Sequence, residues 1–252
     1  MTVPLRLPDE RGGWWHAFVC PVHGVELEHD GLLSGAFPDN GARCPYGCRV
    51  DSPDVRGAWT ALAHQACARE IRRLAASDPA ACVRLLCEYA DRFEQLTAGG
   101  EHEDARSWML RGRLFHQALS EAIWAVTIGN AACDLAEKGV RVPERAHTML
   151  GSLSANARAA RTKLVADGRF TSNYTAWLLA AEAVADQAGG RRPRDEWPGE
   201  LEPHVRAAVR DDGWEWEGST YYHGFVLRAY LLALRGTPLS SLSGDVRARP
   251  GA

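Results

Sequence analysis

From Pro53 to Gly236 nearly every stretch of this sequence spaces its apolar residues three or four positions apart, and no alternating run in that span is long enough to build a sheet. That spacing restricts the fold class to mostly α. Ala58, Leu62, Ala66, Ile71 and Leu74 form one stripe, and Cys82, Leu85, Leu86, Tyr89, Phe93 and Leu96 a second, with Ser77-Asp78-Pro79 as the turn between them. A third helix is expected over 105–128, running on to Glu137 and stopping at Lys138-Gly139, and a fourth over 144–166. A fifth begins after Thr171-Ser172, and a short amphipathic piece over 201–210 leads to a last helix over 219–235. The last helix carries Tyr222, Phe225, Val226, Leu227, Tyr230, Leu231 and Leu234 around most of its circumference, so it is expected to be buried on several sides. Short loops between long helices favour antiparallel helical hairpins.

The helical region has a sharp start, because Ser52 can cap the first turn and Pro53 suits a position where its missing N–H costs nothing. Three segments follow from this boundary: residues 1–52, rich in Gly, Pro, Cys and aromatics; a helical domain over 53–236; and a tail over 237–252 with too little apolar content to pack. With 46% hydrophobic and 24% charged residues in 252, the chain can bury a substantial core. A net charge of -3 gives no electrostatic reason to expect nucleic acid or an anionic membrane as a partner. Met1 to Glu10 hold two prolines, two acids and no apolar run, so no signal peptide is read and the expected compartment is the cytoplasm. Cys67, Cys82, Cys87 and Cys133 fall in helical stretches, where a reduced thiol behaves as a small hydrophobe.

The other three cysteines belong to two knuckles, Cys20-Pro21-Val22-His23-Gly24 and Cys44-Pro45-Tyr46-Gly47-Cys48. Cys20, His23, Cys44 and Cys48 supply two ligands from each of two turns, with glycine where backbone amides must approach thiolates, which suits tetrahedral Zn2+. Four protein ligands leave no position for water or substrate, so the zinc is expected to be structural. The alternative is a Cys44–Cys48 disulfide with His23 at the surface.

Two further segments concentrate side chains of a binding cleft: 170–177, with Asn173, Tyr174 and Trp177, and 212–224, with Trp214, Trp216, Glu217, Tyr221, Tyr222 and His223. Both precede or open a helix, where free N–H groups and the positive end of the dipole favour an anion. Trp177, Trp214 and Trp216 offer flat faces for a sugar ring. Each residue also has a plain structural role open to it: Tyr222 as a core aromatic, Asn173 as an N-cap, Glu215 and Glu217 as first-turn acids.

The string Asp-Gly-x-x-x-Glu-Gly-Ser-x-x-Tyr-His-x-x-Val-Leu, present from Asp212 to Leu227, resembles a segment of the incomplete α/α toroid of heparinase II/III-type polysaccharide lyases. Ser172-Asn173 followed by an aromatic and Trp177 is similar to their second signature, and Gly112-Arg113 with Gln117, Glu121 and Trp124 to a third. The resemblance spans about residues 14–236 and implies β-elimination on a uronic-acid-containing polysaccharide. It implies Asn173 as the group that neutralises the uronate carboxylate, and Tyr222, with Tyr221 in reserve, as proton acceptor and donor. It further implies His223 and Arg228 as a positive field, and Glu217 and Gln117 as holders of sugar hydroxyls. Tyr174 departs from the pattern, since many members carry histidine there. The β-sheet domains that follow the toroid in such lyases have no counterpart after Gly236, so the expectation is a truncated or inactive lyase domain, or an enzyme whose β domain is encoded downstream. The competing expectation is a non-catalytic helical scaffold that binds carbohydrate or protein and carries a zinc knuckle.

Overall fold

Side-chain caps set the helix starts. In the computed structural model, which describes residues 5–34, 36–106, 109–192 and 194–247, the Ser52 hydroxyl accepts the Val55 N–H and opens α1 (Pro53–Ser77). Asp78 ends α1 and, by accepting the Ala81 N–H at 3.0 Å, opens α2 (Pro79–Thr97). The described residues also form α3 (Ala118–Glu137), α4 (Glu144–Ala166), α5 (Asn173–Ala188), α6 (Trp197–Ala208), α7 (Thr220–Ala233) and α8 (Gly244–Arg247). β1 (Ala42–Arg43) and β2 (Arg49–Val50) pair antiparallel, with Ala42 opposite Val50 and Arg43 opposite Arg49. The chain is therefore mostly helical, and no helix among the described residues is long and apolar enough to cross a membrane. It divides into two compact units, Met1–Trp124 and Ala125–Ala252, at a point inside α3.

In the first unit the knuckle segment packs on the start of α1. Phe18, Cys20, Leu27, Ala42 and Cys44 bury against Val55, Ala58 and Trp59, and the Trp59 ring meets both Phe18 and Phe37 at 5.8 Å. A second aromatic cluster joins α1 to α2 and to the start of α3, where Trp124 contacts Tyr89, Phe93 and Phe115. His64 is buried within it, with Nδ1 on the Tyr89 hydroxyl and Nε2 at 2.9 Å from the Glu10 carbonyl oxygen. A carbonyl only accepts, so Nε2 carries the proton and Nδ1 accepts from the phenol. Burial brings His64 down to about 4, against a weaker opposing pull from the Glu10 carbonyl.

The expected helix over 105–128 starts thirteen residues late, at Ala118. The described residues among 98–106 and 109–117 instead form a loop tied by hydrogen bonds: His102 N–H to Gly112 O at 2.8 Å, His116 N–H to Gly12 O at 2.9 Å, and Ala118 N–H to Leu110 O at 2.8 Å. Glu121 replaces helical hydrogen bonding there, since one carboxylate oxygen accepts the N–H groups of Arg113 and Leu114 at 2.7 and 2.6 Å. A Cβ at Gly112 would lie 2.6 Å from the Phe115 carbonyl oxygen, so only glycine fits this close turn.

In the second unit α5 is the central helix, buried along almost all of its length and packed against α4, α6 and α7. Its two acids sit in that interior and are neutralised from outside. Glu182 takes Arg161 at 2.5 and 3.0 Å and Arg158 at 3.2 Å, and Asp186 takes Arg158 at 3.3 Å and Arg191 at 3.1 Å. Gly129 of α3 permits a close approach to α5, since a Cβ there would sit 2.7 Å from the Val184 side chain. His204 of α6 repeats the pattern of His64, with Nδ1 2.6 Å from the Tyr230 hydroxyl and Nε2 3.3 Å from the Ser172 carbonyl oxygen, and burial lowers it to about 4.

Two expectations fail in this unit. α7 buries only Val226, Ala229, Tyr230 and Ala233, one stripe at helical spacing, while Tyr221 (66%) and Leu231 (55%) remain exposed. Apolar composition alone overstated its burial, because a single neighbour face accepts a single stripe. The tail, expected to fray, packs at least as far as Arg247: Leu242 and Val246 are buried, the Ser243 N–H and hydroxyl both donate to Glu202 at 2.6 Å, and Asp245 pairs with Arg206 at 2.7 Å. Residues 1–4 of the N-terminal segment and 248–252 of the tail lie outside the described residues.

Removing one arginine from the Glu182 network leaves a buried carboxylate under-compensated, so Arg161→Ala is expected to cost roughly 3 kcal/mol in urea denaturation. The two buried histidines predict acid sensitivity. The unfolded chain takes up protons below about pH 6.5, whereas the folded imidazoles resist until about 4, so the contribution is complete above pH 6.5 and is lost as pH falls towards 4. Each histidine accounts for on the order of 3 kcal/mol across that window. Urea midpoints compared at pH 7 and pH 5 should fall, and fall less in His64→Gln and His204→Gln; equal midpoints in the unmodified chain would mean water reaches both rings.

Candidate functional site

The knuckles owe their shape to glycines in left-handed conformation. Gly24 (φ 64) lets its N–H return to Cys20 O at 2.8 Å, and Gly47 (φ 90) does the same for Cys44 O at 2.9 Å. These turns, with the β1–β2 pairing, bring Cys20, His23, Cys44 and Cys48 together. Each of the three sulfurs lies 3.5 Å from the Nδ1 of His23. A tetrahedral ion with bonds of about 2.3 Å to sulfur and about 2.0 Å to nitrogen requires roughly that edge length. None of the three is in a disulfide, so the four residues can hold a metal ion. Burial pushes the Cys20 thiol up, but hydrogen bonds from the His23 and Val22 backbone and the His23 ring outweigh it and bring it down to about 6. Burial and the neighbouring Cys20 push Cys48 up, the response of one thiol in a crowded thiolate set.

In the second unit the starts of α5 and α7 come side by side. Ser172 caps α5 through the Tyr174 N–H at 3.2 Å, and Ser219 caps α7 through the Tyr222 N–H at 3.5 Å. Ser172, not Asn173, is thus the cap, and Asn173 is free to reach outward: its Nδ2 donates to Glu217 at 2.8 Å. Trp216 Nε1 donates to the Thr171 carbonyl at 2.7 Å, and Trp177 meets Phe225 at 4.9 Å between ring centroids. The intervening loop is a short hairpin. Arg210 N–H reaches Trp214 O, Trp216 N–H reaches Ala208 O, and Gly213 takes φ 83 at the turn.

The predicted site residues divide accordingly. Asn173 and Glu217 are joined directly and Trp216 bonds the Thr171 carbonyl two residues before Asn173, while Tyr222 lies on the first turn of α7 and is 37% exposed. Trp214 is also exposed and lies against the His223 ring at 4.9 Å. Trp177 is not a stacking platform, because it is 1% exposed and serves as packing under Phe225. His223 does not supply a cation as placed: its Nδ1 accepts the Glu215 N–H at 3.4 Å, which a doubly protonated ring cannot do. Arg228 is exposed and lies six residues beyond Tyr222, roughly 9 Å along the helix axis and off its face. Gln117 belongs to the first unit, where its side chain is buried and accepts from Ser120.

Glu215 is the residue that spacing did not single out. It is 1% exposed; one carboxyl oxygen accepts the Glu217 N–H at 3.0 Å and the other has no hydrogen-bond partner. Burial raises its pKa against the opposing pull of that N–H. It lines an apolar recess with His223, Leu201, Val205 and Tyr230. The only signal in the sequence was an acid between two tryptophans, indistinguishable there from a solvated first-turn acid.

No protein-family model matches this chain, and no curated protein or solved structure shows significant similarity to it.

Proposed function

We propose that the second unit is a polysaccharide-lyase domain of the heparinase II/III type, acting by β-elimination on a uronic-acid-containing polysaccharide, and that the knuckle of the first unit holds a structural zinc ion. The observation that carries the lyase assignment is the meeting of two segments more than forty residues apart, sealed by the Asn173–Glu217 and Trp216–Thr171 hydrogen bonds. The resemblance in sequence adds that both segments look like lyase signatures, and it implies toroid-type packing of the helical hairpins.

The chemistry assigns a task to each residue. A uronate C5 proton is too weakly acidic while the adjacent carboxylate keeps its full charge, and the Asn173 amide lowers that charge by donating to it without competing for the proton. Asn173 already donates to a carboxylate, that of Glu217, so substrate binding requires Glu217 to yield this donor and turn to sugar hydroxyls. Tyr222, exposed on the first turn of α7, takes the C5 proton; the C4–O bond breaks as C4=C5 forms, and a phenol returns a proton to the leaving oxygen. Trp214 and Trp216 present exposed faces for stacking against the sugar.

A second assignment, carbohydrate binding without turnover, is favoured by one specific feature: neither His223 nor Arg228 is placed to stabilise a Tyr222 phenolate. Incubation with alginate, heparan sulfate and chondroitin, followed by ultraviolet absorbance of the unsaturated product, separates the two. The lyase assignment expects product from one of these polymers, loss of turnover in Asn173→Ala and Tyr222→Phe with binding retained, and weaker binding in Trp214→Ala. Binding with no product in the unmodified chain establishes the scaffold instead, and neither binding nor product overturns both.

For the knuckle, about one zinc ion per chain is expected to survive desalting and to be absent from Cys44→Ser. A metal-free preparation that keeps the Trp59 environment, read by tryptophan fluorescence, would remove zinc from the account.

A further inference from the structure

The first unit contains a second convergence of ligand-type side chains, in the loop between α2 and α3. His102, Asp104 and His116 place one ligand atom each within 4.8 Å of one another. The two imidazole rings lie 4.1 Å apart between centroids and are nearly perpendicular, at 87°. His102 is buried, His116 half-buried and Asp104 exposed.

The backbone around them is built to hold this arrangement. His102 N–H is fixed on Gly112 O at 2.8 Å, and His116 is held through its N–H to Gly12 O at 2.9 Å and its carbonyl to Gly112 N–H at 3.4 Å. The Glu121 carboxylate pins the intervening Arg113 and Leu114, and Gly112 is the one residue type that fits the turn. Asp104 sits on the short turn closed by Ala105 N–H to His102 O at 3.3 Å, with an exposed side chain.

We propose that His102, Asp104 and His116 form a second metal site, an open one that takes a divalent transition-metal ion such as Zn2+. Two imidazole nitrogens and one carboxylate oxygen are a ligand set of this class, with bonds of about 2.0–2.2 Å and ligand atoms roughly 3.3 Å apart, a spacing reached by closing Asp104 onto the two rings. Three protein ligands leave at least one coordination position unfilled, unlike the four of the knuckle. His102 and Asp104 also line a polar recess with Arg11, Gly99 and Glu103. Arg11 donates to the carbonyls of Leu96 and Glu101, which anchors its guanidinium at the recess. The open position therefore faces a chamber in which water or an anionic oxygen ligand can join the metal. This assignment rests on the first unit alone and is independent of the lyase proposal.

Calorimetric titration of the full chain with Zn2+, after removal of bound metal and refilling of the knuckle with one equivalent, tests it. A second equivalent should bind more weakly than the first and be stripped by a mild chelator that leaves the knuckle ion in place. Loss of a ligand should weaken this second event by at least the roughly tenfold that losing a mere hydrogen-bond partner of a ligand costs. His116→Ala should abolish it, and Asp104→Asn, an exposed change that leaves the buried loop intact, should weaken it while the first event stays unchanged. A titration that saturates at one equivalent, or a second event of equal strength in Asp104→Asn and His116→Ala, overturns the site.

Discussion

A neutral histidine with both ring nitrogens engaged ties three helices of the second unit together. Ser172 caps α5 with its side chain, and its carbonyl receives His204 of α6, whose other nitrogen takes the hydroxyl of Tyr230 on α7. Three helices are thereby tied at one ring, and burial keeps that ring uncharged by lowering its pKa to about 4. The Asn173–Glu217 and Trp216–Thr171 bonds lie within a few residues of this pin. His64, Tyr89 and the Glu10 carbonyl repeat the device in the first unit. In each case a polar group is buried at tolerable cost because every one of its hydrogen-bonding positions is filled.

The ionised network of α5 follows a different logic. Glu182 and Asp186 face arginines that come from α4 and from the segment after α5 and remain partly open to water. The carboxylates are desolvated while their partners are not fully so, which keeps the pairing specific without the full penalty of burying both ions. The same helix carries Asn173 at its first position.

Ser52 is legible in the sequence as a cap, whereas at the start of α5 the sequence offers Asn173 for the role that Ser172 takes. Ser52, Asp78, Ser172 and Ser219 each stand before an apolar-periodic run, and each accepts an N–H of the first turn. The four knuckle ligands were equally legible, because ligand chemistry restricts both residue type and spacing. Long-range backbone pairing was not. Leu110 and Leu114 fit a helical stripe, but the carbonyls of Leu110 and Leu114 bond Ala118 and Gly12, and only the partner eight or about a hundred residues away decides that outcome. Likewise nothing local distinguishes the stripe of α7 that meets α5 from the apolar face left exposed, or reveals that Glu202 would capture Ser243 and fold the tail down. Glu215 and the His102–His116 pair escaped for the same reason, their environments being made by residues remote in sequence.

Two buried polar atoms without partners lie in the candidate cleft, the side-chain oxygen of Asn173 and one carboxyl oxygen of Glu215. Each costs on the order of 1–3 kcal/mol unless something donates to it. Both belong to residues whose remaining polar atoms bond Glu217, through its carboxylate in one case and its backbone N–H in the other. Glu217 is consequently the joint on which the arrangement turns. If its side chain leaves Asn173, the amide gains a free donor for an anion, and the loop held by Glu215 need not move. A ligand rich in hydroxyl donors and carrying one carboxylate would satisfy the orphaned oxygen and the released amide together. That pairing of needs is what the proposed uronic-acid substrate would supply; a neutral sugar lacks the anion, and a simple carboxylate lacks the donors.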